Sequence, residues 1–332
     1  MTASRSLMVS APGKISLQTR PEPVPPDGEV LVAPKAVGLC GTDLEIISGA
    51  IGPEYVRYPV TIGHEWAGVV RSGQGLDGAR VAVEGIIPCG ECGHCRQGAT
   101  NLCETYQEIG FTRDGAAADV VSVPRRLVHT LADHVTMEQA ALIEPASVAM
   151  RAILRSKPEP GTSVLVIGDG SVALIAAHLL RLFSPRAIDV LGRREEQWRL
   201  ADLAGARTFA TDPSRLEAGY DLVIEAAGQP EAVLAALGMA RRGGTVTLMG
   251  LSGEGRTAPI ATDDIVNNDI TLLGSFSYTS TAFATVVELL NGRQINPEFL
   301  ITHRFPLERW EEAIATLSSA SGERGKVLLT IG

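Results

Sequence analysis

From residue 163 onward, short β-type runs alternate with helix-forming stretches: strand 164–167 and helix 172–182, strand 188–191 and helix 195–203, strand 222–226 and helix 231–240, then strand 245–249. Alternation at this spacing calls for parallel strands joined by helical crossovers, so this part of the chain is expected to form a doubly wound α/β sheet. The first strand runs into Gly168-Asp169-Gly170-Ser171-Val172-Ala173, a G-x-G-x-x-A turn that opens a helix. Its two glycines permit a tight turn and close approach of backbone to a pyrophosphate, which rests on the helix N-terminus. Ala173 in the third place still lets the helix pack against the sheet. Gly168, Gly170, Ser171 and Val172 are therefore candidate dinucleotide-binding residues.

The tip of the next strand discriminates between nicotinamide cofactors. An Asp or Glu there accepts from the ribose 2′-hydroxyl of NAD, whereas arginine accommodates the 2′-phosphate of NADP. This strand ends Leu191-Gly192-Arg193-Arg194, with no carboxylate at the tip and two guanidiniums after it. Gly192, Arg193 and Arg194 predict that NADP is favoured over NAD. Glu195 and Glu196 are rival partners for the two arginines, and Asp169 is an acid close to where phosphates sit, expected to weaken cofactor affinity.

At 332 residues the chain exceeds the size at which single cores stop growing, and 45% hydrophobic residues fill more than one. Residues 1–150 read differently from the alternating half. They are rich in Gly and Pro, with short β-type runs at 29–33, 67–71, 80–83 and 118–123, the pattern of a small irregular barrel. A helical stretch over 139–154 meets the breaker Lys157-Pro158-Glu159-Pro160-Gly161. After a strand over 270–276 come a helix over 282–291, a helix over 307–318 and a strand over 326–331. The expected organisation is a first domain over 1–150, a nucleotide-binding domain over 151–285 and a segment 286–332 that returns to the first.

Within the first domain Cys89, Cys92, Cys95 and Cys103 are spaced C-x2-C-x2-C-x7-C. Four thiolates this close can close a tetrahedral zinc site, which is structural because no position stays open. A disulfide framework is the alternative, disfavoured because no apolar N-terminal segment marks the chain for secretion; a reducing, cytoplasmic setting is expected. The fifth cysteine, Cys40, precedes a Gly63-His64-Glu65 triplet. Taken singly, Cys40 reads as a small buried apolar residue and His64 as a satisfied core histidine. Taken together, a Cys, a His and carboxylates are the mixed set that leaves one place for water or substrate on a catalytic zinc. The net charge of −9 and the lack of Lys/Arg runs argue against a nucleic-acid surface, and the longest apolar stretch, 172–183, is broken by His178 and Arg181, too short for a bilayer.

Gly38-Leu39-Cys40-Gly41-Thr42-Asp43, Gly63-His64-Glu65, the four-Cys lobe, Glu144-Pro145 and the G-x-G-x-x-A turn, in this order, resemble the zinc-containing medium-chain dehydrogenase/reductase (alcohol dehydrogenase) superfamily. The resemblance spans the chain and is nearest to the polyol, sugar and aminocyclitol dehydrogenase branch, with threonine dehydrogenase a neighbour. It implies a GroES-like β-barrel catalytic domain interrupted by a Rossmann domain, with an active site in the cleft between them. Cys40 and His64 become catalytic zinc ligands, Glu65 ligates or stands just behind the metal, and Glu144 takes the place of a second zinc-binding Cys. Thr42 hands on the substrate proton, and Asp43 bonds the far nitrogen of His64. Glu45, about one turn after Thr42, is either a relay or a solvated surface residue.

What the resemblance implies is a homodimer or homotetramer with two zinc ions per chain, interconverting a small-molecule secondary alcohol and its ketone. A zinc-free quinone reductase lacks this ligand set; a catalytically silent nucleotide-binding relative is the non-enzyme alternative. The chain departs from the family at Gly115-Ala116-Ala117-Ala118-Asp119, where relatives read Gly-Gly-x-Ala-Glu. Asn267, Asn268 and Ser275 to Tyr278 fall near an edge that in relatives serves the interface or the pocket.

Overall fold

The computed structural model describes residues 3–73, 75–319 and 322–332. The chain forms two compact units: Met1–Glu144 with Thr279–Ala320 and Lys326–Gly332, and Pro145–Tyr278 with Ser321–Gly325. The first boundary thus falls at Glu144/Pro145 and the second at Tyr278/Thr279, a few residues ahead of 150 and 285. It lies inside a helix because the stretch expected as one helix is two. A short helix Met137–Ala140 is capped by Thr136, whose side chain accepts from the Gln139 amide while Gln139 accepts from that of Thr136. A second helix, Ile143–Ser156, then starts so that Pro145, which has no N–H to give, sits in its first turn.

The first unit is built around the strand Glu29–Leu39. Buried and half-buried residues alternate along its first half, as a strand with one face on a core requires. It pairs antiparallel with Glu65–Ser72, with Val121–Pro124 and with the terminal strand Lys326–Thr330, where Val327 lies opposite Leu39. Val30, Val32, Val37, Leu39, Trp66, Val81, Val83, Val327 and Leu329 share one core. The C-terminal segment therefore belongs to this unit through main-chain pairing. An N-terminal hairpin, Ala3–Ala11 with Lys14–Pro21, was not anticipated, its second strand being mostly polar with no residue fully buried. Asp119, in the departing Gly115–Asp119 segment, accepts from the Arg5 amide at 2.7 Å and ion-pairs with its guanidinium at 2.7 Å, so it ties this hairpin down.

The second unit holds six parallel strands in the order Thr208–Ala210, Ala187–Leu191, Ser163–Ile167, Tyr220–Glu225, Ala240–Leu248, Thr271–Gly274. Counted along the chain this is 3-2-1-4-5-6, the doubly wound dinucleotide-binding order with its switch point at the first strand. Ser163–Ile167 and Ala187–Leu191 are buried throughout and apolar but for Ser163 and Asp189, the latter's carboxylate accepting from Arg207 and Tyr220. Thr208–Ala210 escaped the sequence reading because three residues are too short for periodicity to register.

Candidate active site

Cys40 is the N-cap of the helix Gly41–Ser48. Its extended backbone lets Sγ accept from the Thr42 amide at 3.3 Å, while Asp43 returns a bond from the Cys40 amide at 2.9 Å. The turn between Val60–Thr61 and Glu65–Ser72 brings His64 Nε2 to 3.3 Å from Cys40 Sγ. His64 is buried; Asp43 Oδ1 stands 3.6 Å from Nδ1, the side expected, but beyond hydrogen-bond distance, and both atoms lack a partner. Burial alone would lower the His64 pKa, but the Cys40 and Asp43 anions hold it well above the ordinary value.

Cys40, His64 and Glu65 place their donor atoms within 4.8 Å of one another. A cysteine sulfur, an imidazole and a carboxylate brought this close together are a donor set that suits zinc. Glu65 has another partner, which the sequence reading missed. Lys326 Nζ reaches both of its oxygens, at 2.6 and 2.7 Å, in a pair that is almost wholly buried. The Glu65 and Cys40 anions raise the Lys326 pKa against the lowering effect of burial. Gly38 makes the room: a Cβ there would lie 2.3 Å from Glu65 Oε2. The available signal was a lysine opening an otherwise apolar terminal strand. Lys326→Met leaves Glu65 buried and unpaired, and a loss of about 3–5 kcal/mol in urea unfolding is expected. A loss within experimental error would show that the pair does not hold Glu65.

Glu144 is buried nearby but outside that 4.8 Å group. Burial, with Glu65 and Glu108 close by, pushes its pKa up to about 8 against the opposing pull of His64. Glu108 is a second residue missed from sequence. It lies in the strand Gln107–Glu108, next to Phe111, whose ring centroid is 5.1 Å from that of His64. Burial pushes its pKa up to about 7, opposed by His64. Thr42 is half-buried beside Cys40, and Glu45 is exposed on the same helix.

Cys89, Cys92, Cys95 and Cys103 converge within 4.8 Å, and no cysteine forms a disulfide. Main-chain amides point at the sulfurs: Cys89 N to Cys103 Sγ at 3.2 Å, Cys92 N to Cys89 Sγ at 3.4 Å, Cys95 N to Cys92 Sγ at 3.5 Å. Amides of Glu91 and Cys92 lower the Cys89 pKa to about 6, whereas burial and the neighbouring thiols push Cys95 up to about 12. Four sulfurs that cannot all ionise without a cation are the donor set of a closed zinc site. The lobe is tied to the unit's interior through Thr100, whose hydroxyl accepts from Ser280 N at 2.9 Å. The Ser280 hydroxyl donates to Glu84 at 2.6 Å, and Glu84 also contacts His129 Nε2 at 2.8 Å.

In the second unit Gly168 to Val172 form the turn after the first strand. Gly170 is the N-cap of the helix Ser171–Leu180, and no side chain caps it. Asp169 does not point where phosphates would sit. Its carboxylate accepts from the amides of Arg193 and Arg194 at 2.8 and 2.9 Å and ion-pairs with the Arg194 guanidinium at 2.9 Å. Glu195 accepts from the Thr211 hydroxyl. Arg194 is thus bound by Asp169, while Arg193 is exposed. Gly192 admits no side chain, since a Cβ there would lie 2.7 Å from the Phe209 ring and 2.8 Å from Asp169 Cβ. Asn268 caps its own helix by donating to Asp264 O at 2.8 Å, and Ser275 and Tyr278 are buried.

Residues 26–133 match the alcohol dehydrogenase GroES-like domain and residues 137–320 the glucose dehydrogenase C-terminus. Sorbitol dehydrogenase of Bacillus subtilis is 32% identical over 95% of this chain and 94% of its own. L-threonine 3-dehydrogenase of Streptomyces avermitilis is 33% identical over 93% and 94%. A solved structure described as a zinc-binding dehydrogenase from Sinorhizobium meliloti 1021, bound to NADP, superposes with a TM-score of 0.93 at 28% identity, covering 99% of this chain and 100% of that one. A short chain alcohol dehydrogenase from E. coli CFT073, complexed with NADH, gives 0.92 at 28% over the same shares. The chain belongs to the zinc-containing medium-chain dehydrogenase/reductase superfamily, in its polyol and sugar dehydrogenase branch. It is accordingly an oxidoreductase of the NAD(P)-dependent alcohol and polyol dehydrogenase class.

Proposed function

We propose that this enzyme interconverts a polyol-, sugar- or cyclitol-type secondary alcohol and its ketone by hydride transfer, with NADP favoured over NAD and two zinc ions per chain. The convergence of half-buried Cys40 with buried His64 and Glu65 carries the reading. Those three residues, with Glu144 alongside, would hold one ion, and Cys89, Cys92, Cys95 and Cys103 the other. Zinc bound in the first site supplies a Lewis acid that lowers the pKa of an alcohol, and the nicotinamide supplies the hydride acceptor.

The chain's own residues do the rest. Thr42 would take the substrate hydroxyl proton and pass it outward, and the Asp43 carboxylate, 3.6 Å from His64 Nδ1, would favour the proton on that nitrogen and leave Nε2 to hold a metal. Lys326 restrains Glu65, which leaves room on the open side for substrate. Gly168, Gly170, Ser171 and Val172 cradle the pyrophosphate, and Gly192 with Arg193 and Arg194 receives the 2′-phosphate. We further propose a cytoplasmic homodimer or homotetramer; the edge strand Thr271–Gly274, flanked by exposed Val266 and Phe276, is a surface suited to a second copy. No helix among the described residues is long and apolar enough to cross a membrane.

A second reading, L-threonine oxidation, is favoured by the threonine dehydrogenase relative. Initial rates of NADPH and NADH formation on a panel of polyols, sugars, cyclitols and L-threonine separate the two. Turnover of a polyhydroxylated alcohol, lost on chelation and restored by zinc, is expected. Faster threonine oxidation would replace the first reading by the second, and inertness across the panel would end both.

A further inference from the structure

The segment 322–325 lies between two stretches of the first unit yet packs with the second. What holds it there is Gln197, a fully buried side chain whose amide donates to Asp169 O at 2.6 Å and to Arg324 O at 2.9 Å, and accepts from Arg324 N at 2.9 Å. One glutamine thus clamps the fingerprint turn to a strap from near the C-terminus. The strap is clipped a second time by Glu323, which accepts from Arg199 Nε at 2.8 Å.

The clamp sets the half-buried Arg324 among groups that already face the tip of the second strand. Its guanidinium is attracted by Asp169 and repelled by Arg194, and that repulsion, with burial, lowers its pKa. Among the described residues Asp169 pairs with Arg194 and attracts Arg324. Of the other nearby acids, Glu323 is paired with Arg199, Glu195 is engaged by Thr211, and Glu196 is exposed. Arg193 adds a third guanidinium at the exposed rim, and Arg194 Nη1 is buried with no hydrogen-bond partner. Three guanidiniums against one carboxylate leave an excess of positive charge beside Gly192, where packing forbids the acidic side chain that would select a bare ribose. A dianionic phosphate completes such a cluster by accepting bidentate bonds from arginine forks.

We infer that Arg324, delivered by the 322–325 strap, is a specificity-determining residue that completes a seat for the 2′-phosphate of NADP together with Arg193 and Arg194. The inference rests on the NADP reading above. It adds a contributor more than a hundred residues away in sequence from the strand tip.

The test is fluorescence titration of the full-length protein with NADPH and NADH, and competition by 2′,5′-ADP and 5′-AMP, for wild type, Arg324→Ala, Arg324→Gln and Arg193→Ala. Because Gln197 holds main-chain atoms of residue 324, truncating the side chain leaves the strap in place, which an unchanged melting temperature checks. Either substitution at 324 is expected to weaken NADPH and 2′,5′-ADP about tenfold, a factor that corresponds to about 1.4 kcal/mol, while NADH and 5′-AMP stay within about twofold. A wild type that prefers NADPH, with both 324 variants keeping that preference, would overturn the role of Arg324 and leave the NADP reading standing. A wild type with no preference for NADPH, and an Arg193→Ala variant losing both cofactors equally, would overturn the NADP reading and this inference with it.

Discussion

His64→Ala, and equally Cys40→Ser, is expected to lower kcat by about a thousandfold or more, because each removes a donor from the set that positions the electrophile, and metal catalysis supplies several kcal/mol of the barrier reduction. The fold should survive. His64 sits beside strands whose paired Val37 and Trp66 stay in the core when the imidazole and its contact with Phe111 are lost, and at the helix that Cys40 caps Asp43 still accepts from the main-chain amide of residue 40. The measurements are kcat by cofactor absorbance, metal content, and the thermal midpoint. One zinc lost of two, with a midpoint within a few degrees of wild type and no turnover, is the expected combination. Wild-type activity in either variant would remove these residues from the mechanism.

Cys95→Ser is expected to act on folding. The four sulfurs lie within 4.8 Å, and an alcohol cannot replace a thiolate in a closed tetrahedral site. Structural zinc sites carry about 10 kcal/mol or more of binding free energy, which in a folded lobe is folding free energy. The lobe is joined to the interior through Thr100, Ser280 and Glu84, so its loss exposes a buried carboxylate as well as the lobe itself. Aggregation on expression, or a thermal midpoint lowered by well over ten degrees with one zinc missing, is the expected result. A soluble, fully active Cys95→Ser protein would show that the four cysteines hold no structural metal.

The two variants divide along a line already drawn by residue type. Four thiols at short spacing in one loop and a cysteine far from its histidine are different chemistries, and both were readable as strings. The contacts among chemically ordinary residues were not. Glu108 in a two-residue strand and Lys326 at the start of the last strand carry no motif; Lys326 matters because a sheet register sets it beside Glu65, and Glu108 because the fold brings its charge within reach of that of His64. Asp169 shows the same limit in reverse. As a letter in the fingerprint it stood as an acid near phosphates. In the fold its carboxylate turns to the amides of Arg193 and Arg194 and binds one of the two arginines that the sequence had assigned jointly to a cofactor.

Local pattern determined what local physics governs: the alternation that makes parallel strands, the glycine turn at the first of them, and the thiol spacing that suits a tetrahedral ion. These depend on residues within a few positions of each other, where sterics and hydrogen bonding leave few solutions. Tertiary structure alone decided which distant charges meet. Lys326 reaches Glu65 because Val327 pairs with Leu39, and the main chain at Arg324 is held beside the fingerprint turn because Gln197 bonds to both. Such pairings need long loops to close and whole sheets to register, and they are selected by the summed burial of a core rather than by anything in the neighbouring residues.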